Sequence, residues 1–313
     1  MTSLLAIGDE VAETLGAGGP VVGLETSVIG QGLPSPQNLE CLERMSKAVR
    51  AAAAVPAWTG VLDGRVVVGL TEPELAIFAQ PGRAEKVARR DLPVACARGG
   101  PGATTVSATI WAAARAGIDV SATGGIGGVH PGDHPDVSAD LIELSRTPGL
   151  LVCSGPKSIV DPVATAERLE ELGVTIVGFG VDRLPGFLAA STSVEVEHRV
   201  DSVEEAASIL DASLALETHS TVLLCNPIAD ERAMDPDEVA AATAACERRA
   251  ARNGVRGRDL TPFLLACVAE ETDGRSLEAN LALLEANASL AGRIASARAS
   301  TLRRAGPGTA AAP

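Results

Sequence analysis

Tyrosine is absent from this chain of 313 residues, and aromatic residues make up only 2% of it. Its core must therefore be built from Ala, Val, Leu and Ile, and a hydrophobic content of 46% is enough to supply one. No apolar run approaches the roughly 18 residues of a membrane-spanning helix. Positive charge is scarce too: 26 Lys and Arg stand against 40 Asp and Glu, for a net charge of −14. That balance argues against non-specific nucleic-acid binding, which rests on Lys and Arg neutralising phosphates. It does not exclude a small phosphorylated ligand, which needs only local positive charge. None of the cysteines (Cys41, Cys96, Cys153, Cys225, Cys246 and Cys267) forms a CxxC pair. Cys96, Cys153 and Cys225 end strand-like apolar runs, where cysteine is usually a small buried hydrophobe. With no secretory signal in the sequence, a reducing cytoplasm is the expected location.

What is present is an alternation of short apolar runs and helical stretches. Strands are expected at Val21–Leu24, Leu92–Ala97, Val120–Thr123, Leu150–Cys153, Val174–Phe179 and Val222–Cys225. Two more flank Asp63-Gly64 between Trp58 and Leu70, a hairpin signal. Helical spacing covers Ser3–Leu15, Thr104–Ala116, Ser138–Arg146, Glu204–Leu216 and Pro236–Ala251. Ser35-Pro36 and Asp161-Pro162 read as N-cap and first position of helices running to about Ala54 and Leu172. Thr71-Glu72-Pro73-Glu74 fits a capping box, and Thr261–Arg304 reads as two or more helices. This pattern predicts one α/β domain over residues 1–304, with a largely parallel sheet covered on both faces and a helical C-terminal part. No repeat or linker interrupts it. Residues 305–313 read as a disordered tail.

Several residues could carry chemistry. Lys157 follows the buried run Leu150-Leu151-Val152-Cys153, so it projects from the carboxyl edge of the sheet, where open α/β folds bind ligands. A desolvated amine there can attack a carbonyl to form a Schiff base; a surface lysine near a helix start is the plainer reading. Glu25, at the end of the first strand, is a general acid if burial raises its pKa, or an exposed loop acid. Two glycine-rich loops, Gly99–Gly102 and Gly124–Gly128, offer backbone amides to an anion, or simply turn. Lys86 opens a basic stretch that is either a phosphate contact or a solvated helix end. Asp136 and Asp140 flank Ser138 before a helix, where a carboxylate holds a hard divalent cation or caps the helix. His130 and His134 have formal HxxxH spacing, but Pro131, Gly132 and Pro135 argue against a helix that would align them on zinc.

Together these segments resemble the pseudouridine-5′-phosphate glycosidase family. The resemblance runs through Leu24-Glu25-Thr26-Ser27, Gly32-Leu33-Pro34 and Pro36-Gln37-Asn38. It continues in Lys86, Arg90-Asp91-Leu92-Pro93 and Gly102-Ala103-Thr104-Thr105-Val106-Ser107. Its strongest piece is Ala122-Thr123-Gly124-Gly125-Ile126-Gly127-Gly128-Val129-His130. Asp136-Val137-Ser138-Ala139-Asp140, Gly155-Pro156-Lys157-Ser158, Asn226-Pro227-Ile228, Thr261-Pro262-Phe263 and Ser276-Leu277-Glu278-Ala279-Asn280 follow, so only the tail lies outside it.

The resemblance implies an α/β/α sandwich, a homotrimer and one manganese ion (Mn2+) per subunit, with Asp136 at the metal. It implies that Lys157 attacks the anomeric carbon and that Glu25 donates the proton. Lys86, Val106, Ser138, Ala139 and Asp140 then contact the substrate, with His130 in the pocket and Asn280 at the base. The activity implied is reversible cleavage of a carbon–carbon glycosidic bond to ribose 5-phosphate and uracil. The chain departs from the family pattern at Gln31, where a histidine is usual, at Ser35, where an aromatic is common, and across Leu184-Pro185-Gly186-Phe187-Leu188. If these positions line the aglycone pocket, it is wider and less polar than uracil requires; otherwise they have simply drifted. Some relatives join ribose 5-phosphate to larger polyketide-type aglycones, as in alnumycin C-ribosylation, and such a C-glycosynthase is the alternative reading. A non-catalytic sugar-phosphate-binding or sugar kinase-like domain is a third, and Lys157, Glu25 and Asp136 speak against it.

Overall fold

A computed structural model describes residues 3–131 and 136–305. The chain runs β1 (Leu5–Ile7), α1 (Asp9–Gly16), β2 (Val21–Glu25), a π-helical turn (Val28–Gly32), α2 (Gln37–Ala51), β3 (Val55–Leu62), β4 (Arg65–Val68), α3 (Glu72–Phe78) and β5 (Glu85–Val87). It continues as a 3-10 turn (Arg89–Asp91), α4 (Leu92–Arg98), β6 (Gly102–Thr104), α5 (Val106–Ala116), β7 (Val120–Ala122), α6 (Ala139–Leu144), β8 (Gly149–Cys153), α7 (Pro162–Glu171) and β9 (Ile176–Phe179). The last elements are β10 (His198–Val200), α8 (Val203–Ala215), β11 (Thr221–Cys225), α9 (Pro236–Arg252), a second 3-10 turn (Gly257–Asp259), α10 (Leu260–Glu271) and α11 (Arg275–Ala305).

The main sheet is ordered β1-β4-β3-β2-β7-β8-β11-β9-β10, with β6 pairing to β3 and β5 to β6. Pairing is parallel except where β3 meets β4 and β6. Central strands β2, β7, β8 and β11 are buried along their whole length. Their successive side chains point to opposite faces, as a strand requires. Val22, Leu24, Val120, Ala122, Leu150 and Val152 pack in one core with residues of α2, α8 and α11, such as Met45, Leu210 and Leu283. Leu151, Cys153, Leu223 and Cys225 pack in another with residues of α5, α6 and α7, such as Ile110, Leu141 and Leu169. The result is a helix–sheet–helix sandwich, the fold class expected, with α9, α10 and α11 as its helical C-terminal part. Helix α11 lies close against α2 because Gly292 has no side chain; a Cβ there would stand 2.8 Å from that of Ala52.

Local departures from the expected elements have simple causes. The stretch Ser3–Leu15 is not one helix: Gly8 breaks it, and Leu5–Ile7 pairs with Val66–Val68 as a parallel strand. Leu92–Ala97 is helical rather than extended. An apolar run that short does not reveal its period, and Pro93 in the first turn with Gly99 at φ +77° bounds a helix. Gly102–Thr104 form a strand, so the following helix begins later, at Val106. Helix α2 begins at Gln37 without a cap from Ser35. The capping box at Thr71 and Glu74 and the Asp161 cap are present as expected. Strands β5 and β10 lie in segments too short and polar to be read as strands.

Cys246 and Cys267 form a disulfide between α9 and α10, with Cα atoms 5.7 Å apart. No CxxC motif foreshadows it, because facing helices, not neighbouring positions, bring the two together. The remaining cysteines are free. No helix among the described residues is long and apolar enough to cross a membrane. From residue 306 on, the expected disordered tail lies outside the described residues, as does His134.

Candidate active site

The carboxyl ends of β2, β7 and β8 open into a cavity of roughly 230 Å³. Glu25 enters from the end of β2, Lys86 from β5, Val106 from the start of α5 and Lys157 from the loop after β8. His130, Asp136 and Ser138 come from the segment between β7 and α6, Ala139 and Asp140 from the first turn of α6, and Asn280 from α11. Every residue that the family resemblance places at the site therefore lines the same cavity, whereas Gly99–Gly102 do not.

Glu25 is 3% exposed. Ser27 Oγ donates to its Oε2 at 2.5 Å, and Thr123 Oγ1 donates to its Oε1. Burial pushes the Glu25 carboxyl above the ordinary glutamate value; the charge on Lys157 and the two hydroxyls pull it back, and Asp140 adds a smaller push upward. The site thus holds an acid whose proton is retained to higher pH than usual, beside an amine. Neither hydroxyl partner was singled out from the sequence. Thr123 could have been, because it ends a buried strand that neighbours the strand ending in Glu25.

Lys157 is half-buried, and its backbone is fixed on both sides. Its N–H donates to Ile126 O at 3.0 Å, and its carbonyl accepts from Val160 N at 3.0 Å. Ser154 N donates to Gly124 O at 2.7 Å and Ile126 N to Gly155 O at 3.1 Å, so the pairing of β7 with β8 continues past the strand ends. The glycine loop Gly124–Gly128 and the lysine loop are thereby one ledge. Glycine is required in both. A Cβ on Gly127 would stand 2.3 Å from Ser138 Oγ, and one on Gly155 would stand 2.1 Å from Pro185 O. The earlier glycine run plays a different part: Gly99 ends α4 and Gly102 lies in β6, while Thr105 and Val106 after it reach the cavity.

Asp140 is a pin. Its Oδ1 accepts from Ser107 N at 3.1 Å and its Oδ2 from Gly127 N at 3.0 Å, tying the N-terminus of α5 to the glycine loop. Ser138 caps α6 by accepting from Asp140 N at 3.2 Å. Both alternatives open at this segment, capping and ligand contact, therefore bear on different residues. Ser138 is engaged as the cap, while Asp136 faces the cavity. His130 N–H donates to Asp136 O at 2.9 Å, and burial pushes the His130 imidazole below its ordinary value against the pull of Asp136.

Among the described residues no three His, Cys, Asp or Glu side chains converge as a metal cage. Asp136 offers one carboxylate. A hard divalent ion that keeps waters and takes oxygens from a substrate phosphate fits such a donor set; zinc held wholly by the protein does not.

The departures from the family pattern separate here. Gln31 and Phe187 line the cavity, and Ser35 is not among its lining residues. Gln31 Nε2 donates to Ala84 O at 2.9 Å, while its Oε1 is buried without a partner among the described residues. Phe187 is 2% exposed and places a ring over Gly125, so this wall is apolar and aromatic. Thr261, Pro262 and Leu265 near the start of α10 complete it. Sequence reasoning had named no role for them, because a helix packed across the mouth of a sheet is set by tertiary packing alone.

An acid and an amine sharing one polar cavity at the carboxyl edge of a parallel sheet make this an α/β enzyme site. Residues 10–297 match the family described as indigoidine synthase A like protein. The chain is 47% identical over 301 residues to a pseudouridine-5′-phosphate glycosidase of Symbiobacterium thermophilum, covering 94% of this chain and 98% of that one. It is 49% identical over 285 residues to one of Gemmatimonas aurantiaca, covering 91% and 93%. Among solved structures it resembles the prealnumycin C-glycosynthase AlnA in complex with ribulose 5-phosphate, at TM-score 0.88 and 37% identity over 97% of this chain and all (100%) of that one. An indigoidine synthase A-like protein from Thermotoga maritima gives TM-score 0.86 and 40% identity over 94% and 96%. The chain belongs to the indigoidine synthase A like family, with the pseudouridine-5′-phosphate glycosidases among its relatives.

Proposed function

We propose that this enzyme is a pseudouridine-5′-phosphate glycosidase that works through an imine on Lys157. The observation that carries the reading is the pairing of a buried, hydroxyl-bonded Glu25 with Lys157 in one cavity. The residue types follow from the chemistry. A base carbon leaving a carbon–carbon bond is a poor anion and must be protonated as it departs, which is the task of Glu25. The anomeric carbon of an imine carries neither ring oxygen nor base, so both bonds must break. Attack by the Lys157 amine opens the ring carbon–oxygen bond, and the ring oxygen takes a proton. The carbon–carbon bond then breaks, its electron pair goes to the base carbon with the proton from Glu25, and a carbon–nitrogen double bond remains. Water hydrolyses it to ribose 5-phosphate and the free amine. Run backwards, the same steps make a C-glycoside.

Lys86 and the amides of the glycine loop suit a sugar phosphate, and Asn280 suits the base. Asp136 would hold a divalent ion, manganese by family resemblance, which when bound supplies positive charge to the sugar phosphate. Val106, Ser138 and Ala139 shape the sugar end, and the chain assembles as a homotrimer, as in the family it resembles. A second reading, a C-glycosynthase with a larger aglycone, is favoured by Gln31 and by the aromatic wall at Phe187, and the AlnA structure is a relative of that kind.

Two assays test the proposal. Borohydride trapping with ribose 5-phosphate and manganese should place a ribityl phosphate adduct on Lys157, read by peptide mass spectrometry. Lys157→Ala should remove the adduct and lower turnover roughly 1,000-fold or more. No adduct on folded, metal-loaded protein overturns the covalent mechanism. Turnover of pseudouridine 5′-phosphate compared with coupling of ribose 5-phosphate to a polycyclic acceptor decides between the two aglycone classes.

A further inference from the structure

Asn287 is fully buried in α11 and does not line the cavity. It shares a stripe with two residues that do, Asn280 and Leu284, at the i, i+4 and i+7 positions of one helix face. One turn deeper than Leu284, its amide meets the ends of the central strands. Nδ2 donates to Thr123 O at 2.9 Å, to Gly124 O at 3.3 Å and to Ser154 Oγ at 3.0 Å. Oδ1 accepts from Asn226 Nδ2 at 3.0 Å. A single side chain therefore joins the residues that follow β7, β8 and β11. Two of them lead straight to the chemistry: Thr123 donates its hydroxyl to Glu25, and Ser154 begins the loop that carries Lys157.

We propose that Asn287 is the positioning residue of this site, setting the approach of Glu25 to Lys157 by fixing Thr123 and Ser154. The proposal rests on the acid-and-amine reading above. A buried amide with all its polar atoms paired costs little and specifies one arrangement, whereas a half-paired one costs stability. The strand ends could close around any apolar helix; what the amide adds is a fixed distance between the β7 end and the β8 end. Alternatives for the role are limited, because Asn287 does not itself line the cavity and cannot touch a ligand without leaving these partners.

Asn287→Leu keeps the branched outline of the side chain and removes every hydrogen bond. In a variant that folds, kcat should fall about 100-fold, the loss expected when reacting groups move by around an ångström. KM for pseudouridine 5′-phosphate should stay within about threefold, since Lys86 and Asn280 are untouched. The loss should be non-additive with that of Thr123→Val, because both act on one carboxyl. A readout independent of turnover is the titration of the Glu25 carboxyl by carbon-13 NMR. Glu25 faces Lys157 and Asp140 as charged groups, Ser27 and Thr123 as hydroxyls, and the Cys41 thiol of α2, and all of these remain in the variant. Its titration midpoint should move in Asn287→Leu. Wild-type kcat together with an unmoved midpoint overturns the positioning role. Should the leucine variant not fold, the smaller Asn287→Ser, which withdraws the amide from Thr123 O, Gly124 O and Ser154 Oγ, is read the same way. If the wild type itself neither turns over nor traps ribose 5-phosphate, the functional reading fails, while the NMR titration still decides whether Asn287 places Thr123 against Glu25.

Discussion

Thr123 and Glu25 meet across the seam between β7 and β2, the hydroxyl of one donating to the carboxyl of the other. A donor of this kind stabilises the ionised carboxylate, so it works against the burial that holds the Glu25 pKa up. Thr123→Val removes the donor and keeps the shape. Glu25 should then hold its proton to higher pH, and the alkaline limb of the kcat profile should move upward. Thr123→Ser should restore the wild-type limb. An alkaline limb that stays put in Thr123→Val would mean that another group supplies the proton.

The same burial makes Glu25 a cost to the fold. Its folded pKa is raised, so its share of stability is fully present below the ordinary glutamate pKa and is lost as pH climbs through the raised value. Glu25→Gln never ionises and escapes that loss. The variant should therefore gain in Tm over the wild type as pH rises from 5 to 8, while losing most of its activity. The check is thermal unfolding of both proteins across that range. A constant Tm difference would show that Glu25 is already ionised in the fold at the bottom of that range, so that burial does not hold its pKa up.

Much of this site could be read from the chain, for a physical reason. Lys157 and Glu25 each follow a buried apolar run, and a residue at the end of such a run in a parallel sheet can only emerge at the carboxyl edge. Asn287 could not be found that way. It lies among Ala and Leu in a long helix, where an isolated Asn reads as part of the polar face until α11 is packed on the sheet. The first strand was hidden for a similar reason: Leu4, Leu5, Val11 and Leu15 have helical spacing, and only the pairing of Leu5–Ile7 with β4 splits them. Asp140, expected at the substrate, lines the cavity, and that each of its carboxylate oxygens also accepts from a backbone amide shows only in the folded chain.

Gly155 should tolerate no side chain. It has φ +81°, and an added Cβ would lie 2.1 Å from a backbone oxygen, which cannot swing aside as a side chain can. Gly155→Ala should cost more than about 2 kcal/mol in denaturant unfolding. Gly173→Ala, also at positive φ but with open space around it, should cost less, since only the backbone conformation is strained there. Equal losses at the two positions would show that the lysine loop relaxes away from Pro185.

The Cys246–Cys267 bridge gives the last test. It closes a segment with a sequence separation of 21 and ties α10 to α9. Cys41, Cys153 and Cys225 are buried and so shielded from a reagent in the native state, while Cys96 is half-buried. In denaturant without reductant, a thiol reagent should count four groups, and after reduction six. Reduction, or Cys246→Ser, should lower stability by about 3 kcal/mol, the loop-closure value for a segment of this length. Helix α10 contributes Thr261, Pro262 and Leu265 to the cavity wall, opposite in role to the sheet edge that holds Glu25 and Lys157. Loosening it should therefore raise KM for the C-nucleoside substrate more than it lowers the yield of the borohydride adduct with ribose 5-phosphate. Six thiols titrating before reduction would mean that the two cysteines stay reduced in solution, and the wall would then owe its position to the packing of α9 on α10 alone.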